Sequence, residues 1–169
     1  LAAMPAILQA HPETKYIIQW APHPTGEGTF EYYEMLRRTV RELHLDDSVL
    51  FFAEFLPEPL LLGRLRHSKI FINAYVDRVA SVSGTLIMAM GLGLSCISTP
   101  YPFAREVLAD QSGILIPFSD PDSISRAAIY LLGNPEQAAA MGKRAQAKTH
   151  TWGAVASLFL ELGLNHDHM

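Results

Sequence analysis

The residues best placed for chemistry are Ser83, Gly84, Thr85 and Leu86, where a loop ends and a short apolar helix should begin. A helix start carries backbone N–H groups with no partner inside the helix, and the dipole adds partial positive charge. Together these make a site for an anion such as a phosphate. Gly84 would let the backbone come close to it, and the hydroxyls of Ser83 and Thr85 can add donors. The same residues also spell a plain N-cap on a core helix. Arg78, in the loop just before, can pair with a diphosphate or simply stay solvated. Asn73 and Tyr75 leave a strand toward the same cleft, where Tyr75 can stack, hydrogen-bond or only pack. His23, in a Pro-His-Pro turn, can touch a ligand or move a proton, or be an ordinary loop histidine. Glu106 reads as opening a helix, where a carboxylate complements the dipole.

Other residues are explained by structure alone. Asp120 and Asp122 form an Asp-x-Asp string, but their place before a helix points to an N-cap rather than a metal site. His166 and His168 have metal spacing only superficially, on a terminal tail over 166–169. Cys96 lies in the apolar run Leu94 to Ile97 and reads as a buried core thiol. A single cysteine leaves no internal disulfide framework.

These residues need elements to hold them. Strands are expected at Tyr16–Trp20, Val49–Ala53, Ile70–Asn73, Ser95–Ser98 and Gly113–Ile116, each short and apolar. Helices are expected near the N-terminus (Leu1, Ala2, Ala3, Ile7 and Leu8 facing a core) and over Phe30–Leu45, Leu56–Leu65, Thr85–Leu92, Phe103–Ala109, Pro121–Leu132 and Pro135–Lys148. A terminal helix should begin at Trp152. Regular alternation of strand and helix predicts an α/β fold, a parallel sheet with helices on both faces. Ligands of such a sheet bind beyond the carboxyl ends of its strands. Three loops with suitable chemistry meet there: Ala21 to Thr29, Asn73 to Gly84, and Thr99 to Phe103.

With 169 residues, 49% of them hydrophobic, the chain fits one domain with a sizeable core. The net charge of −4 leaves no basic stripe for nucleic acid. No apolar run is long enough to span a membrane, and no charged region precedes an apolar stretch at the N-terminus. A cytoplasmic location is therefore the expectation.

From Gly84 onward the sequence resembles the donor-binding half of the retaining glycosyltransferases of family 4, which have the GT-B fold. MAMGLG, then SCISTP, then Ala104, Arg105, Glu106, Val107 and Leu108 keep the order of that family's glycine-rich turn, apolar strand, small loop and helix. GILIPFSDPDSISRAAIYLL and Trp152 continue it. The resemblance implies a Rossmann-like domain over residues 1–165, the C-terminal half of a GT-B enzyme, whose N-terminal acceptor-binding domain lies outside this chain. It implies a nucleotide diphosphate sugar as donor and no metal. Ser83, Gly84, Thr85, Leu86 and Arg78 would hold the diphosphate, and Glu106, Tyr75 and His23 the sugar or ribose. One departure stands out. The family usually carries two glutamates seven residues apart; here Met88 takes the second place and the first falls near Ala80, in a longer loop, so neither carboxylate is present. Two alternatives follow: a non-catalytic nucleotide-sugar-binding or interaction module that has lost the acidic pair, and a GT-B sugar-nucleotide epimerase.

Overall fold

The computed structural model describes residues 1–20, 29–79 and 82–149. In chain order the elements are α1 (Met4–Ala10), β1 (Tyr16–Trp20), α2 (Thr29–Glu42), β2 (Val49–Ala53), α3 (Glu58–Arg66) and β3 (Ile70–Asn73). Then come α4 (Gly84–Gly91), β4 (Ser95–Ser98), α5 (Pro102–Val107), β5 (Ile114–Leu115), α6 (Pro121–Gly133) and α7 (Pro135–Ala147). Four of the five strands start and end where the sequence places them. Gly113 and Ile116 fall outside β5; the helices expected from Pro121 and Pro135 start there, and the other helix ends differ by one to three residues. The helix expected at Trp152, the loop from Ala21 to Gly28, and the residues His166 and His168 lie outside the described residues.

Every strand pairing is parallel. β4 is buried along its whole length. Successive side chains of a strand point to opposite faces, and Ile97 and Cys96 accordingly join different cores. Ile97 packs with Met4 and Ile7 of α1 and with Ala128 and Leu131 of α6. Cys96 packs with Leu65 of α3, Leu86 and Met90 of α4, and Ala104 of α5. Helices thus cover β3 to β5 on both faces, as an apolar parallel sheet requires.

Local signals explain the helix ends. Asp120 caps α6, its Oδ1 accepting Ser123 N–H at 2.9 Å and its Oδ2 accepting the Ser123 hydroxyl at 2.6 Å. These bonds hold its carboxyl below the usual range. α1 starts without a side-chain cap, at Ala3, and Ala2 is exposed rather than core-facing. Beyond α4 the chain turns at Gly93, whose φ of +74° suits glycine. α7 crosses that turn so closely that a Cβ on Gly142 would lie 1.9 Å from the Gly93 carbonyl oxygen.

The expected single sheet is instead two ladders, β1–β2 and β3–β4–β5. Among the described residues no strand lies between β1 and β3. A cavity of about 870 Å³ separates them, reaching residues of α1 and α6 as well as α3. Cover on both faces is also incomplete in the smaller ladder, where Ile17 and Leu50 are 37% and 40% exposed.

Candidate functional site

β3 and β4 lie side by side with Asn73 opposite Ser98, so their carboxyl ends feed two adjacent loops. The loops are tied together at once. Thr99 N–H donates to the Asn73 carbonyl at 3.2 Å, the Ser98 hydroxyl to the same carbonyl at 3.1 Å, and the Thr99 hydroxyl to the Tyr75 carbonyl at 2.7 Å. Two apolar strands that end in small polar residues thereby satisfy the backbone of the turns that follow.

On this base sits a buried polar cluster. Asn73 Nδ2 donates to Tyr101 Oη at 2.8 Å and to Ser83 Oγ at 3.1 Å. Tyr75 Oη donates to the same Ser83 oxygen at 3.3 Å, and the Tyr75 ring stacks on Tyr101 with centroids 5.2 Å apart. Leu86 N–H also donates to Ser83 Oγ, at 3.3 Å. Asn73, Ser83 and Tyr101 are all buried. Burial pushes the Tyr101 phenol upward, against the pull of hydrogen bonds from Ser83, Asn73 and Ser98, so it stays protonated near neutrality. The cluster fixes the first turn of α4 to the ends of β3 and β4.

The geometry changes the roles expected of two residues. Ser83 is not a hydroxyl offered to a ligand: it is buried and accepts from Asn73, Tyr75 and Leu86 as the N-cap of α4. Leu86 N–H is no free donor either, because the cap already takes it. Gly84 and Thr85 remain. Both are exposed, occupy the first two positions of α4, and so have N–H groups without intrahelical acceptors. A Cβ on Gly84 would meet nothing within 4 Å, so open space lies on that side.

The other candidates are placed as follows. Tyr75 joins the cluster through its hydroxyl while its side chain stays partly exposed. Arg78 lies with its guanidinium 4.5 Å from the centre of the Phe118 ring, a cation–π contact. No hydrogen bond or ion pair links Arg78 to Ser83–Leu86 among the described residues. Glu106 does not open its helix. Pro102 starts α5 earlier, as its fixed φ allows, which puts Glu106 one residue from the end, exposed and away from the favourable pole. His23 and Ala80 lie outside the described residues. Met88 is half-buried against the core shared by α3, α4 and α5. Cys96 is fully buried, and burial pushes its thiol up to about 12. No three His, Cys, Asp or Glu side chains group as metal ligands among the described residues, and no described helix is long and apolar enough to cross a membrane.

Tyr101 is the residue that sequence reasoning passed over. Its signal was faint: a tyrosine between two prolines, just after a strand ending Ser98-Thr99, where a side chain folds back over the sheet end.

The glycosyl transferases group 1 model matches residues 1–148. A search of curated proteins finds no match. Among solved structures, HepE of Anabaena in complex with UDP superposes with a TM-score of 0.79 at 15% identity, over 99% of this chain and 44% of that one. Sucrose-phosphate synthase of Thermosynechococcus elongatus gives 0.78 at 18% identity, over 96% and 41%. The C-terminal domain of a group 1 glycosyl transferase (LpcC) of Francisella tularensis gives 0.74 at 15% identity, over 86% and 72%. The chain therefore spans less than half the length of the first two. At these identities the likeness establishes the fold, the Rossmann-like arrangement of GT-B glycosyltransferases. The family model runs from α1 through α7 and takes in the Ser83–Leu86 turn, and the chain belongs to the glycosyl transferases group 1 family.

Proposed function

We propose that this chain is the donor-binding, C-terminal half of a retaining glycosyltransferase similar to family 4. One observation carries the reading: Gly84 and Thr85, exposed at the first two positions of α4, have N–H groups without intrahelical acceptors, on a turn held to the carboxyl ends of β3 and β4 by buried hydrogen bonds. Fixed donors of this kind stabilise charge that grows on a departing diphosphate, and they need no reorganisation to do so. UDP, present in the HepE complex, is the natural probe. Arg78 would leave the Phe118 face to pair with the diphosphate. Tyr75 would meet the sugar or ribose, with Glu106 and His23 as further candidates. Amide donors and an arginine do the work a metal does elsewhere, so the proposal includes no metal. The whole protein would carry an N-terminal acceptor-binding domain and act in the cytoplasm.

A second reading has its own support. Met88 and Ala80 stand where the resembled family has carboxylates, which favours a nucleotide-sugar-binding or interaction module without turnover; a sugar-nucleotide epimerase is the third possibility. The test assays this chain, alone and joined to its natural upstream region, with a panel of nucleotide sugars. Transfer by the joined protein and none by the chain alone is the expected result, because the reacting groups meet only when both halves close, a positioning effect of about 7–11 kcal/mol in favourable cases. Binding without transfer or hydrolysis in either form would leave the module reading. Interconversion of the donor sugar would leave the epimerase.

A further inference from the structure

β2 is the outer strand of the smaller ladder, and β1 is its one strand partner among the described residues. Its residues, Val49 to Ala53, are all apolar, with no charge and no proline to blunt the edge. Tyr16 N–H donates to the Ser48 carbonyl at 2.8 Å. By the even spacing of a parallel ladder, Leu50 and Phe52 then also turn their backbone groups to β1, and Val49, Phe51 and Ala53 turn theirs outward. The Val49 N–H is spent on the Leu45 carbonyl at 2.9 Å. The other outward groups, two N–H and three C=O, have no hydrogen-bond partner among the described residues. Such an edge is a template for another strand.

These groups complement themselves. A two-fold axis through Phe51, perpendicular to the sheet, sets a second β2 antiparallel to the first, with Phe51 opposite the partner's Phe51 and Val49 opposite the partner's Ala53. The Phe51 pair exchanges N–H and C=O, and each Ala53 N–H meets the partner's Val49 carbonyl. Only the Val49 N–H, already spent, drops out. Leu50, 40% exposed on the face away from α2, comes opposite the partner's Phe52, at the closer of the two antiparallel spacings.

The helices fit the same axis. α2 straddles both strands: Tyr33 and Arg37 meet the Phe51 ring of β2, and Tyr32, after burial, pushes up the Tyr16 phenol of β1. A helix above the β1–β2 groove lies one strand spacing from the axis, so the two α2 helices would run antiparallel about 10 Å apart. Packed helices need about 8–10 Å. Phe30, Glu34, Arg37 and Arg41 share the stripe of α2 that reaches Phe51, with the acid toward one end and the arginines toward the other. An antiparallel mate brings Glu34 beside the partner's Arg41, and neither residue has an ion pair among the described residues.

We infer that β2 is a self-association edge, through which two copies of this chain join antiparallel across a two-fold axis into one continuous sheet flanked by paired α2 helices. The contact is isologous and closes at two copies. It stands apart from the donor reading, since it concerns the outer edge of the smaller ladder and not the start of α4.

Sedimentation velocity from low micromolar to near-millimolar chain, with hydrogen exchange followed by NMR at both ends of that range, tests it. The chain should pass from monomer to dimer as concentration rises. The Phe51 and Ala53 amides should then exchange more slowly by about tenfold or more, while those of Leu50 and Phe52, bonded to β1, should not follow. Ala53→Pro removes an N–H that only the edge uses, at an exposed position, and should weaken dimerisation by about tenfold or more. Leu50→Lys places a charge in the exposed cross-strand pair and should also favour the monomer. If the proline variant fails to fold, the lysine variant decides. A chain that stays monomeric, or grows beyond a dimer, overturns the inference. So does protection of Phe51 and Ala53 that is independent of concentration, or a dimer that survives the substitutions.

Discussion

Ser83→Ala removes one oxygen that serves three donors, and the structure sets the size of the effect. Loss of the cap on Leu86 N–H costs about 1 kcal/mol. Asn73 keeps its bond to Tyr101, but its second N–H is stranded at a position only 4% exposed, which costs roughly 1–3 kcal/mol. Tyr75 Oη can turn to water and adds little. The total is about 2–4 kcal/mol, and for a protein of this size a Tm drop of roughly 5–12 °C follows. Tyr101→Phe strands Asn73 from the other side and spares the cap, so it should cost less. Because both variants act on Asn73, their effects should not add. Thermal unfolding by circular dichroism, with urea titration as a second measure, reads the two single variants and the double variant. A Ser83→Ala protein within about 0.5 kcal/mol of the parent, as ordinary surface changes are, would refute the network as the support of α4.

Two further predictions follow from packing and burial. Gly142→Ala should lower stability by about 1–3 kcal/mol or more, since its Cβ would meet the Gly93 backbone; Gly84→Ala, with nothing within 4 Å, should be neutral or gain about 0.4–1 kcal/mol, and urea midpoints separate the two. Cys96 should resist a thiol reagent at pH 8 in the folded chain and react on unfolding. Its folded pKa of about 12 lies above the ordinary 9.0, so the stability it contributes is complete below pH 9 and is lost as pH rises toward 12; rapid native labelling would contradict the burial.

The strands were readable because each is a short apolar run bounded by breakers: YIIQW, VLFFA, IFIN and SCIS all end where the pattern ends. Asp120 was readable as a cap because Pro121 and an apolar run follow it. Ser83 was ambiguous for a physical reason. One hydroxyl can cap a helix or meet a ligand, and only the positions of Asn73 and Tyr101, distant in sequence, decide that it is engaged inward. Glu106 was misplaced because Pro102 starts α5 ahead of the first residue counted as helical. The gap between β1 and β3 was invisible for another reason. Strand and helix alternation reports which elements exist, whereas an empty place in a sheet appears only when the order of strands in space is known.

The central claim, that the start of α4 holds a nucleotide diphosphate, is tested most directly by an NMR titration of this chain with UDP beside its Gly84→Val variant. The Gly84 and Thr85 amides should shift most on addition of UDP. The variant should stay folded with a similar Tm, because a Cβ at this position meets nothing within 4 Å, and should lose the response. UDP bound equally well by Gly84→Val, or shifts centred away from the first turn of α4, would contradict it.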